Sequence, residues 1–219
     1  MFWNRCSWSE RVLMNNSSIR AVIFDFGGVI CSFDVMIFVR RIAPHSRFTM
    51  NDLSGGVLHG AAELARRYET GLLSSEEFYR EVAVLAGLTM PMEDFAQAYC
   101  DIFSPIPLTL DLIRSLKGRY RLAMLSNTSE WHFELGIKSV DVFPLFETVT
   151  LSYQVGAMKP DPRIYQDALR KLALSPGACA YIDDLAENVS AAASIGMHAV
   201  RYTTHETLAH DLRGLGLEW

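Results

Sequence analysis

The sequence predicts an α/β fold: a parallel sheet with an all-helical segment inserted after its first strand. Three observations predict it. Five short apolar runs each end in a polar residue, amphipathic helical periods lie between them, and one interval between runs is far too long for a simple crossover. The runs are Ala21–Phe24 before Asp25, Leu122–Leu125 before Ser126, Thr148–Leu151 before Ser152, Ala180–Ile182 before Asp183 and His198–Val200 before Arg201. Continuous rather than alternating apolar runs suit strands covered on both faces, as in a parallel sheet. Strand and helix in alternation give the α/β class.

Taken in order, residues 1–19 read as an N-terminal tail, with Met14 a candidate start, because the segment has neither a continuous apolar stretch nor a small-residue cleavage site. The first strand follows and ends at Asp25. From Asp25 to Ser126 is 101 residues, whereas a strand–helix–strand unit needs roughly thirty. The surplus carries helical patterns at Phe78, Val82 and Leu85 and at Phe95, Ala98 and Ile102, with no convincing strand between. Ser74 and Ser75 ahead of Glu77 and Phe78 resemble a helix start. Residues 34–103 are therefore expected to form a helical insert, and 20–33 with 104–219 the core; Pro105 and Pro107 mark the return. Beyond it, Leu108, Leu112, Ile113 and Leu116 make one helical face, and Ile164, Ala168 and Leu172 another. Asp161-Pro162 supplies an N-cap followed by Pro at the first helical position. Val189, Ala192 and Ala193 continue the pattern up to Gly196, which is placed to end that helix.

Composition narrows the function. Half of the 219 residues are apolar, 21% are charged and the net charge is −5, with no block of like charges. A nucleic acid or an anionic membrane would call for a clustered basic face, so neither is expected as the main partner. A small phosphorylated metabolite is compatible, because one local pocket can oppose the global sign. No run approaches the length of a membrane span. Cys6, Cys31, Cys100 and Cys179 are separated by 25, 69 and 79 residues, a spacing that supports reduced thiols in a cytoplasm rather than a zinc knuckle or disulfide framework.

In open parallel sheets, ligands sit beyond the carboxyl ends of the strands. Asp25, Ser126 and the Asp183-Asp184 pair fall at such ends, and Lys159 follows the third strand. Singly, each has a bland reading as a cap, a turn or a solvated charge. Together they suit phosphoryl transfer. Phe26-Gly27-Gly28 lets backbone N–H groups approach an anion. Ser126 and Asn127 supply neutral donors, and Lys159 a compact positive charge. Asp25, Asp183 and Asp184 supply hard oxygen ligands for Mg²⁺. A carboxylate among cations can attack phosphorus, giving an aspartyl-phosphate.

The strings FDFGGVI, LSNTSEW, VGAMKPDPRIY and YIDDLAENVSAAASIGM resemble, in order, the four motifs of the haloacid dehalogenase-like (HAD) superfamily. The chain is most similar to its branch with α-glucose-1-phosphate phosphatase and the N-terminal phosphatase domain of soluble epoxide hydrolase. The resemblance implies a Rossmann-like core of strand order 5-4-1-2-3 with a helical C1-type cap. It further implies Asp25 as nucleophile and Mg²⁺ ligand, and the Gly27 carbonyl as a second ligand. Ser126 and Asn127 would hold phosphoryl oxygens, Lys159 would bridge phosphate and Asp25, Asp183 would bind metal, and Asp184 would orient a metal-bound water.

One position departs from many HAD phosphatases. The second Asp, two residues after the nucleophile, is here Gly27, and losing that general acid–base costs roughly 10²–10⁴ in rate. A good leaving group, such as the anomeric oxygen of a sugar-1-phosphate, would compensate, as would a surrogate side chain. His132 and His59 are the candidates, and Phe33, Tyr68, Phe78 and Trp131 join them as candidate pocket residues. Two alternatives remain at this stage. A 2-haloacid dehalogenase would have no use for Asp183-Asp184, and a non-catalytic protein would bind a phosphorylated metabolite without releasing phosphate.

Overall fold

The computed structural model describes residues 18–219; the tail expected over residues 1–19 lies almost wholly outside that range, as does Cys6. Five parallel strands form the central sheet: β1 (Ala21–Phe24), β4 (Arg121–Ser126), β5 (Thr148–Leu151), β6 (Cys179–Asp183) and β7 (His198–Arg201). Their order is β5-β4-β1-β6-β7, which counted within this sheet is the expected 5-4-1-2-3. Every apolar run picked out above is one of these strands, and the α/β class is as expected.

Both faces of the sheet are covered because alternate residues of each strand point to opposite sides. Val22, Phe24, Leu122, Met124, Ala180 and Ile182 pack with Leu112, Ile113 and Leu116 of α6 (Pro107–Leu116) and with Leu208 and Leu212 of α10 (His205–Gly214). Ala21, Ile23, Ala123, Leu125, Cys179 and Tyr181 face the other way, onto Ile164, Ala168 and Leu172 of α8 (Pro162–Leu172) and Ala192 of α9 (Ala186–Ser194). The Asp161 side chain caps α8 by accepting from the Arg163 N–H at 2.9 Å. Leu108 departs from the predicted face of α6: it lies in the first turn and is exposed, while Thr109 and Leu110 are buried.

Between β1 and β4 the chain forms α1 (Val35–Ile42), α2 (Met50–Asp52), α3 (Leu58–Glu69), α4 (Ser75–Ala86) and α5 (Met92–Cys100). Ser74 and Glu77 form a reciprocal capping box at the start of α4. Phe38, Phe78, Val82, Phe95 and Tyr99 build a separate apolar cluster here, with Trp131 packed against it from the far side. One feature leaves no trace in the sequence pattern. Strands β2 (Cys31–Phe33) and β3 (Phe103–Pro105) pair antiparallel at the two crossings between these helices and the sheet. Three residues are too short for any periodicity to register.

Candidate active site

Strand register assembles the site. Phe24 lies opposite Ile182 and Met124, and the Asp25 N–H continues the ladder by donating to the Ile182 carbonyl at 2.9 Å. Asp25 and Asp183 therefore emerge side by side at the carboxyl edge, and Ser126 ends the neighbouring strand. Lys159, 5% exposed, bridges the two carboxylates: its Nζ is 2.7 Å from Asp25 Oδ1 and 2.7 Å from Asp183 Oδ2. Asp183 is fully buried and held from several sides. Its Oδ1 accepts from the Leu185 N–H at 2.9 Å and the Asn188 amide at 3.0 Å, and its Oδ2 accepts from the Tyr181 hydroxyl.

Carboxylate oxygens of Asp25, Asp183 and Asp184 can all lie within 4.8 Å of one another. Three acids against one lysine leave a net charge of about −2 when all are ionised. Burial pushes the Asp25 carboxyl up; Lys159 opposes the rise and Asp183 adds to it. Burial and the Asp183 charge likewise push Asp184 up. For Asp183 burial acts upward too, but Lys159 and the hydrogen bonds outweigh it and hold the group below the usual carboxylate range. Gly28 makes the arrangement possible. It has φ +75°, and a Cβ there would lie 2.5 Å from Asp184 Oδ2, so the Asp184 carboxylate occupies the space a side chain would fill. An all-oxygen donor set with surplus negative charge fits Mg²⁺.

Asn127 and Phe26, both expected at the phosphate, also make hydrogen bonds within the site. The Asn127 side chain clamps the Lys159 backbone: its amide donates to the Lys159 carbonyl at 3.1 Å and its Oδ1 accepts the Lys159 N–H at 2.7 Å. One N–H of the amide thus positions the lysine loop, and the second N–H of the same group is left for a ligand. The Phe26 N–H donates to Asp25 Oδ1 at 2.6 Å. Ser126 is buried, and its hydroxyl makes only a long contact to the Asn127 carbonyl at 3.3 Å.

A cavity of about 390 Å³ opens from Gly27, Ser126 and Asn127 and runs between Phe33, Phe38, Phe78 and Tyr99. Of the candidate pocket residues, Phe33, Phe78 and His132 line it. His59 is exposed on α3 and does not line it. Tyr68 and Trp131 lie behind the lining, where the Tyr68 hydroxyl pairs with Ser75 and accepts the Trp131 N–H at 3.0 Å. His132 is unsuited to donating a proton to a substrate. Its ring stacks on Tyr99 at 4.1 Å, its Nε2–H donates to the Tyr99 carbonyl at 3.0 Å, and burial lowers its pKa to about 4.

Sequence reasoning missed Thr128, whose N–H donates to Ser152 Oγ at 2.8 Å, and Glu69 at the end of α3, which also lines the cavity. Burial pushes the Glu69 carboxyl up to about 7. Tyr181 and Asn188 stand inside a string quoted above, so their support of Asp183 carried a signal. Glu69 carried none, because it is far from every motif and arrives only through the packing of α3 on the core.

The acids, the lysine and the hydroxyl thus meet at the carboxyl edge of the parallel sheet, beside the helices inserted between β1 and β4. The chain belongs to the haloacid dehalogenase-like hydrolase family, whose model matches residues 19–196. It is 26% identical over 189 residues to a D-ribitol-5-phosphate phosphatase of Bacteroides thetaiotaomicron, covering 81% of this chain and 89% of that one. It is 25% identical over 203 residues to a sesquiterpene phosphatase of Aspergillus oryzae, covering 91% and 97%. The fold is similar to that of a HAD-family enzyme from Bacteroides thetaiotaomicron solved with magnesium and inorganic phosphate. That match has a TM-score of 0.75 at 21% identity and covers 85% of this chain and 95% of the other.

Proposed function

We propose that the protein is a Mg²⁺-dependent phosphatase that hydrolyses a small phosphate monoester through an aspartyl-phosphate on Asp25. The observation that carries this reading is the Lys159 ammonium placed 2.7 Å from both Asp25 and Asp183, with Asp184 alongside. The phosphatase relatives support the reaction class. Asp25, Asp183 and Asp184, with the Gly27 carbonyl, would hold the ion, which supplies positive charge against the phosphoryl oxygens.

In the first step an Asp25 carboxylate oxygen bonds to phosphorus while the bond from phosphorus to the ester oxygen breaks. The leaving oxygen takes up a proton and departs as the alcohol. Water then attacks phosphorus, the bond from phosphorus to Asp25 breaks, and inorganic phosphate leaves with the carboxylate restored. Lys159 binds phosphoryl oxygen and screens the nucleophile from it. Ser126 donates its hydroxyl, and Asn127 keeps Lys159 in place.

The proton for the leaving oxygen has no source at Gly27. The sugar-1-phosphate route removes the need, since an anomeric oxygen leaves readily. Among the groups lining the cavity, Glu69 is the surrogate we favour, because a carboxyl pushed to about 7 carries a proton over much of the neutral range. The test is phosphate release from an ester panel in Mg²⁺. Turnover is expected in the wild type and is expected to vanish in EDTA and in Asp25→Asn. Release that persists in either condition overturns the assignment.

A further inference from the structure

The cavity that borders Phe26, Gly27, Ser126 and Asn127, next to the strand end that carries Asp25, has a composition that selects what is attached to the phosphate. Ser126, Asn127 and Thr128 line it beside Gly27, and its other polar side chains are Glu69, His132 and Tyr99, whose hydroxyl is hydrogen-bonded to Ser129. The rest of the lining includes Phe33, Val35, Phe38, Phe78, Val82 and Ile102, together with Ala61, Ala62 and Ala65 on one side of α3. His132 gives no hydrogen bond to this space from Nε2, which is engaged with the Tyr99 carbonyl. Glu69 is the one charged side chain of the inserted helices in the lining. A polyol or sugar placed here would bury several hydroxyls against carbon, and each unpartnered hydroxyl is disfavoured. A second phosphate or a carboxylate would meet an acid rather than a base.

From this lining we infer that the substrate is the phosphate monoester of an apolar alcohol, an aliphatic, terpenoid or aryl chain whose carbon body fills the space under the helices. The inference rests on the phosphatase reading above and adds the substrate class to it. At roughly 30 Å³ for each water-sized group, the cavity of about 390 Å³ accepts on the order of a dozen carbon-sized groups. Phe33 extends the apolar surface outward: it is 54% exposed, stands on β2 at the mouth, and lies 3.4 Å from where a Gly27 Cβ would be. Small side chains at 61, 62 and 65 leave the volume that larger residues would close.

The test uses 4-n-alkylphenyl phosphates from methyl to pentyl with the full chain in Mg²⁺, alongside ribitol 5-phosphate and glucose 1-phosphate. The leaving group is nearly constant along the series, so the source of the proton does not enter the comparison. Burying a methylene raises kcat/KM by about fourfold, so the series is expected to climb on the order of 100-fold and to exceed both polyol esters. Ala65→Phe, which narrows the cavity, is expected to cut the ratio of pentyl to methyl kcat/KM by about tenfold. Should Ala65→Phe fail to fold, the wild-type series still decides. Turnover of the methyl ester with no rise along the series, or with the polyol esters preferred, overturns the apolar substrate and leaves the phosphatase reading intact. No turnover of any ester overturns both.

Discussion

Gly28 illustrates how one residue serves backbone and site together. Its φ of +75° is strained for any side chain, and the Asp184 carboxylate lies where a Cβ would go. Gly28→Ala is expected to destabilise the fold by about 1–3 kcal/mol in denaturant melts and to weaken Mg²⁺ binding measured by calorimetry. Gly27 is different, because a Cβ there meets only the Phe33 ring at 3.4 Å, an ordinary contact. Gly27→Asp should therefore fold and should speed turnover of esters with poor leaving groups by about 10- to 100-fold. The converse variant, Glu69→Gln, is expected to slow the same esters and to spare those with good leaving groups. A general acid must enter the reaction protonated, so in the wild type kcat for poor leaving groups should fall as pH rises through about 7. The groups whose charge or proton bears on Glu69 include Tyr99, whose hydroxyl burial and the Glu69 charge push well above its usual range. The falling limb should disappear in Glu69→Gln, and a limb that survives would remove Glu69 from the reaction.

At the scale of elements, His132 ties the segment after β4 to α5. It opens a π-helical turn (His132–Gly136), and its ring stacks on Tyr99 and meets Phe103 edge-on. The ring is neutral in the fold because burial lowers its pKa to about 4. The unfolded chain thus binds a proton that the folded chain refuses between pH 6.5 and 4, and stability drops as pH falls through that window. The full effect is on the order of 3 kcal/mol. Chemical denaturation at pH 7 and pH 4.5 should show the loss, and His132→Phe should reduce the difference between the two. A His132→Phe variant with an unchanged pH dependence would show that other groups carry it.

For the whole molecule, three acids and one lysine gather where β1, β4 and β6 end beneath the inserted helices. Repulsion among those acids opposes folding, so a divalent ion that binds only the folded state raises stability by mass action. Mg²⁺ at 100 times its Kd should add about 2.7 kcal/mol, read as a rise in Tm. Asp183→Asn should abolish that rise, whereas Leu172→Ala, in the core away from the site, should cost about 2–5 kcal/mol of stability through the cavity it leaves, lowering Tm while leaving the rise in place. A Tm indifferent to Mg²⁺ would count against the metal site. No helix among the described residues is long and apolar enough to cross a membrane.

The sequence alone determined the parallel sheet, its strand ends and the residues waiting there. Each strand announces itself by a continuous apolar run. Asp25, Ser126 and Asp183 directly follow such runs, and Lys159 stands eight residues beyond Leu151 within a quoted motif string. Asp25, Ser126, Lys159 and Asp183 were legible for that reason. The ribbon of β2 and β3, the clamp of Asn127 on Lys159 and the approach of Glu69 to the site were decided only by tertiary structure. Their partners lie tens of residues away in the chain, and no local period encodes a contact of that range. The character of the cavity belongs with them. Phe33 and Phe78 stand as candidate pocket residues in sequence, but Ala65 carries no such signal, and only the packing of the helices over the sheet turns the three toward one common space.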